Sequence, residues 1–180
     1  QKFRELMDKM TDSIIDYLNY QILSGVDAIQ VFDSWVGCLG VSDYERHVYP
    51  HTKRLFESLS KGVPVIHFGT GNPALLRLMA AAGGDVMALD WRAPLTESWN
   101  DLGCKSIQGN LDPVALFGSQ RSVIKAAKEI LDDVAGRPGH IFNLGHGILP
   151  QTPLKNVKVL VRVVKDYSSE VKSRYQSLGY

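Results

Sequence analysis

Apolar residues open the chain at steps of three and four: Phe3, Leu6, Met7, Met10, Ile14, Leu18 and Ile22. That period draws one apolar stripe along a helix, and Gly25 is placed to end it. The pattern then shortens. Asp27 to Phe32 (DAIQVF) reads as a strand ending in Asp33-Ser34-Trp35. A helical stretch follows to about Ser60, with Ser42 as its cap, Pro50 as an internal kink and Gly62 as its stop. Val63 to Phe68 (VPVIHF) predicts a second strand, and Gly69 to Asn72 a loop. Asn72 suits an N-cap and Pro73 the first helical position. That helix runs out at Gly83-Gly84.

Asp85 to Leu89 (DVMAL) predicts a third strand, ending in Asp90-Trp91. A short helix spans about Thr96 to Leu102. The fourth strand is Lys105 to Gln108, with Gly109-Asn110-Leu111-Asp112-Pro113 as the loop behind it. Ser119 caps a helix through Val134, closed by Gly136. Ile141 onward (IFNLGHGI) is the fifth strand and its loop, and a helix from Pro153 to about Gln176 completes the order. One helix followed by five strand–helix units predicts an α/β fold with a parallel sheet and right-handed crossovers. The strands are short and apolar, as when both faces of a sheet are covered. In such a sheet all carboxyl ends point one way. Ser34, Gly69 to Asn72, Asp90-Trp91, Asn110 to Asp112 and His146 each follow a strand. They are expected on the face that binds ligand in α/β proteins.

Composition narrows the classes. The 180 residues suffice for one domain, with 44% hydrophobic and 22% charged residues, as in a soluble globular protein. Lys and Arg total 20 against 19 Asp and Glu, a formal net charge of +1. That balance offers no basic field for nucleic acid or a membrane surface. No apolar run has the length of a membrane span and no signal peptide opens the chain. Cys38 and Cys104 form no CxxC pair, so neither a disulfide framework nor a cysteine-rich zinc site is expected, and a reducing cytoplasm is the default. The chain begins Gln1-Lys2-Phe3-Arg4, without methionine and inside a helical pattern. It is expected to be processed or part of something longer.

Several residues carry possible chemistry. His146 lies between Gly145 and Gly147 at a loop mouth, where it could serve as acid or base or simply stand in a turn. Gly69-Thr70-Gly71-Asn72-Pro73-Ala74 fits GxGxxG/A after a strand and before a helix, with Asp90 about twenty residues on, the outline of a dinucleotide fingerprint. A glycine-rich βα turn gives the same letters. His47 and His51 could share a helix face, but Pro50 intervenes and HExxH is absent, so a solvated face is expected. His67, inside a strand, is expected to be a satisfied core histidine. Ser34 lacks a nucleophile elbow and suits a hydrogen-bond donor to a bound group. Asp90-Trp91 could be catalytic or a structural pair, the carboxylate capping local amides and the indole filling the mouth of the site, and the structural reading is the one expected. Asn110 to Pro113 has the residue types of a tight turn. Cys38 has no neighbouring base to activate it.

Four segments together resemble the uroporphyrinogen decarboxylase family. They are QVFDSW (Gln30 to Trp35), LDW (Leu89 to Trp91), QGNLDP (Gln108 to Pro113) and NLGHGI (Asn143 to Ile148). The resemblance covers essentially the whole chain and about the carboxyl-terminal half of that family's length. It implies the C-terminal part of a (β/α)8 TIM barrel, with strands four to eight here as a single domain (1–180) and the N-terminal part absent from this chain. That part would carry an arginine-rich segment, an essential aspartate and a tyrosine. The family converts the four acetate side chains of uroporphyrinogen III to methyls, giving coproporphyrinogen III, without metal or cofactor. By resemblance, Ser34 and His146 bind substrate, His146 also acts catalytically, and Phe32 lines the pocket. A cytoplasmic homodimer is implied. The alternatives are a corrinoid- or thiol-linked methyltransferase of the same superfamily and a non-catalytic tetrapyrrole-binding half-barrel. The methyltransferases often place a zinc-binding His-x-Cys where His67-Phe68-Gly69 stands. A half-barrel leaves open edges, so the isolated piece is expected to associate with its other half.

Overall fold

A computed structural model describes residues 1–177. Its five strands are β1 (Ile29–Asp33), β2 (Val65–Gly69), β3 (Val86–Ala88), β4 (Ser106–Leu111) and β5 (His140–Leu144). They form one sheet in the order β1-β2-β3-β4-β5. β1 with β2 and β4 with β5 pair in parallel. The order follows the sequence without reversal, the singly wound arrangement of barrels. By contact density the chain divides into two compact units, Gln1–Met87 and the residues from Ala88 onward.

In the first unit α1 (Lys2–Leu23) ends as predicted, at Gly25 with φ +90°. Its Leu18 packs into a core with Ile29, Leu55, Phe56, Leu59, Val65 and Ala82. The expected single helix from Ser42 is two helices, α2 (Val41–His47) and α3 (Tyr49–Glu57), broken at Val48. Gly40, not Ser42, is the N-cap. Proline explains the break. Inside a helix, Pro50 would lose a hydrogen bond and crowd the carbonyl four residues back. In the first turn of a new helix its missing N–H costs nothing. His47 and His51 therefore sit on different helices. His47 stands edge-on to Phe3, and the His51 Nδ1 lies 3.3 Å from Asp8 Oδ1 on α1. Only His47 is exposed, so the solvated face holds for one histidine of the two.

The ladder sets the strand ends. Pro64 has no N–H to give, and β2 starts at Val65. The Asp85 carboxylate accepts the Val65 N–H at 2.8 Å, and the Val65 carbonyl accepts the Asp85 N–H at 2.7 Å. After β2 the chain makes a 3-10 turn (Pro73–Leu75) and then α4 (Leu76–Ala82).

His67 is fully buried beside Phe56, with ring centroids 4.7 Å apart. Its Nδ1 lies 3.1 Å from the Met79 carbonyl and 3.2 Å from the Gly83 carbonyl. Both are acceptors, so Nδ1 carries the proton. Nε2 has no partner among the described residues, and the histidine is a core residue satisfied on one side only.

In the second unit α5 (Leu95–Leu102) ends at Gly103 in the left-handed region, and Trp99 within it is wholly buried. The indole N–H of Trp99 donates to the Cys104 carbonyl at 2.9 Å. α6 (Gln120–Asp133) begins as predicted, with Ser119 Oγ accepting the Ser122 N–H. With α7 (Leu154–Ser177) it covers a core of Leu111, Leu116, Val123, Ala127 and Leu160. β4 departs from expectation: it does not stop at Gln108 but runs through Leu111. Gly109, at φ +140°, lets the strand lie against Leu89, whose carbonyl oxygen would stand 2.9 Å from any Cβ built there. Only Asp112 keeps the turn role, accepting the Val114 N–H at 2.8 Å.

Burial lowers the His67 pKa from 6.5 to about 4, with the two carbonyls opposing part of the shift. The folded state keeps this ring neutral while the unfolded chain takes up a proton below pH 6.5. The contribution of this ring to stability is therefore complete above pH 6.5, declines as pH falls below it, and is lost near pH 4. Urea midpoints of the whole protein between pH 4.5 and 7.5 should follow that decline, and His67→Leu should flatten it.

Candidate functional site

The end of β1 carries the first cluster. Phe32 is 65% exposed and rests edge-on against Phe68, centroids 5.7 Å apart. Ser34 is half-buried, and its carbonyl accepts the Thr70 hydroxyl at 2.5 Å. Its own hydroxyl makes no hydrogen bond among the described residues. Trp35 stands 86% exposed beside it. Burial raises the Asp33 pKa above the ordinary carboxylate value.

The glycine-rich loop after β2 is turned toward this cluster and not toward a phosphate. A Cβ on Gly37 would collide with the Thr70 carbonyl and stand 2.5 Å from Gly71 Cα. Gly71 itself has φ +91°. Asn72 caps the turn by accepting the Ala74 N–H at 3.1 Å, and its amide donates to the Leu39 carbonyl at 3.0 Å. The glycines thus let the loops after β1 and β2 lie backbone on backbone. The dinucleotide reading fails on this and on strand order, because a sequentially ordered sheet has no reversal point at which a dinucleotide would bind. The zinc-binding His-x-Cys is not built either. His67 is committed to two carbonyls, and a Cβ at Gly69 would collide with Met79 Cε and stand 3.0 Å from Val36 Cγ1. Among the described residues no cluster of three His, Cys, Asp or Glu could hold a metal. Cys38 is exposed and Cys104 half-buried, both as free thiols.

The second cluster belongs to the second unit. Asp90 is buried, with one oxygen accepting the Arg92 N–H at 2.9 Å and the other 2.6 Å from Arg92 Nη1. Arg92 lies over the Trp91 ring, 4.1 Å from its centroid. The structural reading of Asp90 therefore holds, while the indole serves as a platform for Arg92, a partner the sequence did not single out. Asn110 is buried in β4 and donates both amide protons, to the Asp90 carbonyl at 2.9 Å and the Ala93 carbonyl at 2.7 Å. It is no turn residue.

His146 follows β5 and is exposed. Its Nδ1 accepts the Gly147 N–H at 2.8 Å. A nitrogen that accepts carries no proton, so the neutral ring holds its proton on Nε2. Gly145, just before it, is buried, and a Cβ there would stand 2.5 Å from Trp91 N. Phe32 and Ser34 are thus neighbours in the first unit, while His146 lies with Asp90, Trp91 and Asn110 in the second.

Comparison with known proteins agrees with the motifs. The family model described as uroporphyrinogen decarboxylase (URO-D) matches residues 1–167. Uroporphyrinogen decarboxylase of Carboxydothermus hydrogenoformans is 50% identical over 171 residues, 94% of this chain and 49% of the relative. That of Solibacter usitatus is 50% identical over 167 residues, covering 92% and 48%. That of Thermus thermophilus is 46% identical over 168 residues, covering 93% and 49%. The chain spans about half the length of the curated relatives it matches. Among solved structures, a methyltransferase from Methanosarcina mazei superposes with a TM-score of 0.79 at 22% identity, over 91% of this chain and 49% of that one. At that identity the likeness extends to the fold alone, which is TIM-barrel-like.

Asn72 both caps a turn and ties it to Leu39. Asn72→Ala should cost about 1–2 kcal/mol in chemical denaturation of the whole protein. Asn72→Asp, which keeps the cap acceptor and loses the donor, should cost less.

Proposed function

The chain belongs to the uroporphyrinogen decarboxylase family, and we propose on that premise that its protein is a cofactor-independent carboxy-lyase acting on uroporphyrinogen III. The observation that carries this is identity of 50% over 94% of the chain to a uroporphyrinogen decarboxylase. The segment would supply strands four to eight of a (β/α)8 barrel. Its four family motifs in their family order support that assignment. The active protein would be a cytoplasmic homodimer. No helix among the described residues is long and apolar enough to cross a membrane.

The reaction replaces each acetate carboxylate with hydrogen and releases carbon dioxide. Protonation of the ring carbon beside the acetate makes the pyrrole an electron sink. The bond to the carboxylate carbon then breaks, and its electron pair flows into the ring. A second proton is added at the side-chain carbon, and the first is lost from the ring. One proton is consumed per acetate, so the ring does what a cofactor does elsewhere. The enzyme's tasks are to deliver protons, stabilise the cation and hold the carboxylates.

The residues of this chain fit the last task. His146 presents an Nε2–H donor, fixed by the Gly147 amide on its other nitrogen. We assign it to a substrate carboxylate, where it can also relay a proton. Ser34 has a hydroxyl uncommitted among the described residues, suited to a second carboxylate. Phe32 offers an exposed ring face to the macrocycle. The methyltransferase reading gains no support from His67, whose Nδ1 is held by two carbonyls, or from Gly69, which has no thiol.

The test is turnover of uroporphyrinogen III by the full-length protein. His146→Ala should lower kcat/KM about 10- to 100-fold, the worth of one hydrogen bond to a charged group. His146→Gln, which keeps an N–H near the Nε2 position, should retain more activity. Unchanged kinetics in both variants would remove His146 from the site. A full-length protein that releases no carbon dioxide would overturn the decarboxylase reading.

A further inference from the structure

His146 sits on exposed backbone, yet a binding histidine must point one way. The loop Asp90 to Ala93 supplies what the exposed turn lacks. Gly145 is seated against it so closely that a Cβ would stand 2.5 Å from Trp91 N and 3.0 Å from the Asp90 carbonyl carbon. The Gly145 N–H also donates to the Leu111 carbonyl at 2.7 Å. The turn bearing His146 is thus fixed from two sides, by the end of β4 and by the 90–93 loop.

The loop itself is held from beneath. Asn110, 8% exposed, sends one amide group to two of its carbonyls, Asp90 at 2.9 Å and Ala93 at 2.7 Å. The Asp90 carboxylate clamps the loop from within through the Arg92 N–H and guanidinium. We propose that Asn110 is a positioning residue for His146: through the Asp90–Ala93 loop and Gly145 it fixes the imidazole so that Nδ1 meets the Gly147 N–H and Nε2 bears the proton. The importance of that orientation for turnover rests on the proposed function, whereas the orientation itself does not.

The same unit contains a matched control. Asn156 is also buried, and its amide likewise donates to two carbonyls, Leu116 at 2.7 Å and Gly118 at 2.9 Å. It holds a different stretch of chain. Asn110→Ala and Asn156→Ala each remove one buried amide from two carbonyls, so both should lower the melting temperature. Only the first should reach His146.

The experiment uses full-length protein labelled with 15N-histidine and 15N-glycine, compared with His146→Ala for assignment. In the parent protein the His146 ring nitrogens should report a single tautomer with the proton on Nε2, and the Gly147 amide should be protected from exchange. In Asn110→Ala the ring should average between tautomers, Gly147 exchange should accelerate, and kcat/KM should fall by about tenfold or more, as for a misplaced binding group. Asn156→Ala should leave all three unchanged. Should Asn110→Ala fail to fold, Asn110→Asp and Gly145→Ala test the same linkage from either end. The proposal is overturned if the folded Asn110 or Gly145 variants keep the His146 signature, or if Asn156→Ala alters it equally. Loss of the signature with unchanged turnover would instead sustain the linkage and count against the role assigned to His146.

Discussion

At the strand ends of this protein, main chain lies directly on main chain. Four glycines make that possible. Gly37 meets Gly71, Gly109 meets the Leu89 carbonyl, and Gly145 meets the Trp91 amide. A Cβ on Gly37, Gly109 or Gly145 would stand nearer than the facing backbone tolerates, so a side chain at any of those three would push that backbone away. Interiors transmit such displacements because they are close-packed. Loops that must hold functional groups at the rim of a sheet gain their rigidity here from backbone contact and not from side-chain bulk.

The same device explains why one loop reads two ways. A phosphate-binding turn needs glycine so that the backbone can approach a pyrophosphate. The turn at Gly69 to Asn72 needs it so that the backbone can approach Gly37. Both demands produce GxGxxA, and nothing local separates them. The sheet order separates them, because it sets whether neighbouring loops diverge at a reversal or crowd together in sequence. Order is a property of the whole chain, so the fingerprint alone was blind to it.

Much of the fold was legible from the sequence because the relevant forces are local. The stripe from Phe3 to Ile22 is helix α1, the caps at Asn72 and Ser119 are made, and Gly25 follows its helix in the positive-φ region. The failures share a cause. The single helix expected to about Ser60 is two because Pro50 fits only the first turn of a new one, and the first of the two starts after Gly40 and not at Ser42. Asn110 and Leu111 have turn-like neighbours in Asp112 and Pro113, yet they continue a strand. What keeps them there is pairing with Asn143 and Leu144 on β5 and the Asn110 amide's bond to the Asp90 carbonyl, all twenty or more residues away, and no window around Asn110 contains that information. His67 was legible as a core residue, but not as one with an unpartnered Nε2, because its carbonyl partners come from a different element.

The chemistry of the rim also bears on what this segment contributes. A polycarboxylate can be held by cations or by neutral donors. Cations bind more strongly, but they also stabilise the carboxylate that must leave as carbon dioxide, and so raise the barrier to its departure. Neutral donors such as a hydroxyl and an imidazole N–H orient a carboxylate with less of that penalty. Ser34 and His146 are both of the second kind, and the arginine of the second cluster, Arg92, is tied to Asp90. On the proposed function, this segment is then suited to orienting carboxylates, with the stronger cationic grip supplied elsewhere in the protein. A donor of this kind is useful only if it points correctly. That makes the support beneath His146, from Asn110 through the Asp90–Ala93 loop to Gly145, as consequential as the imidazole itself.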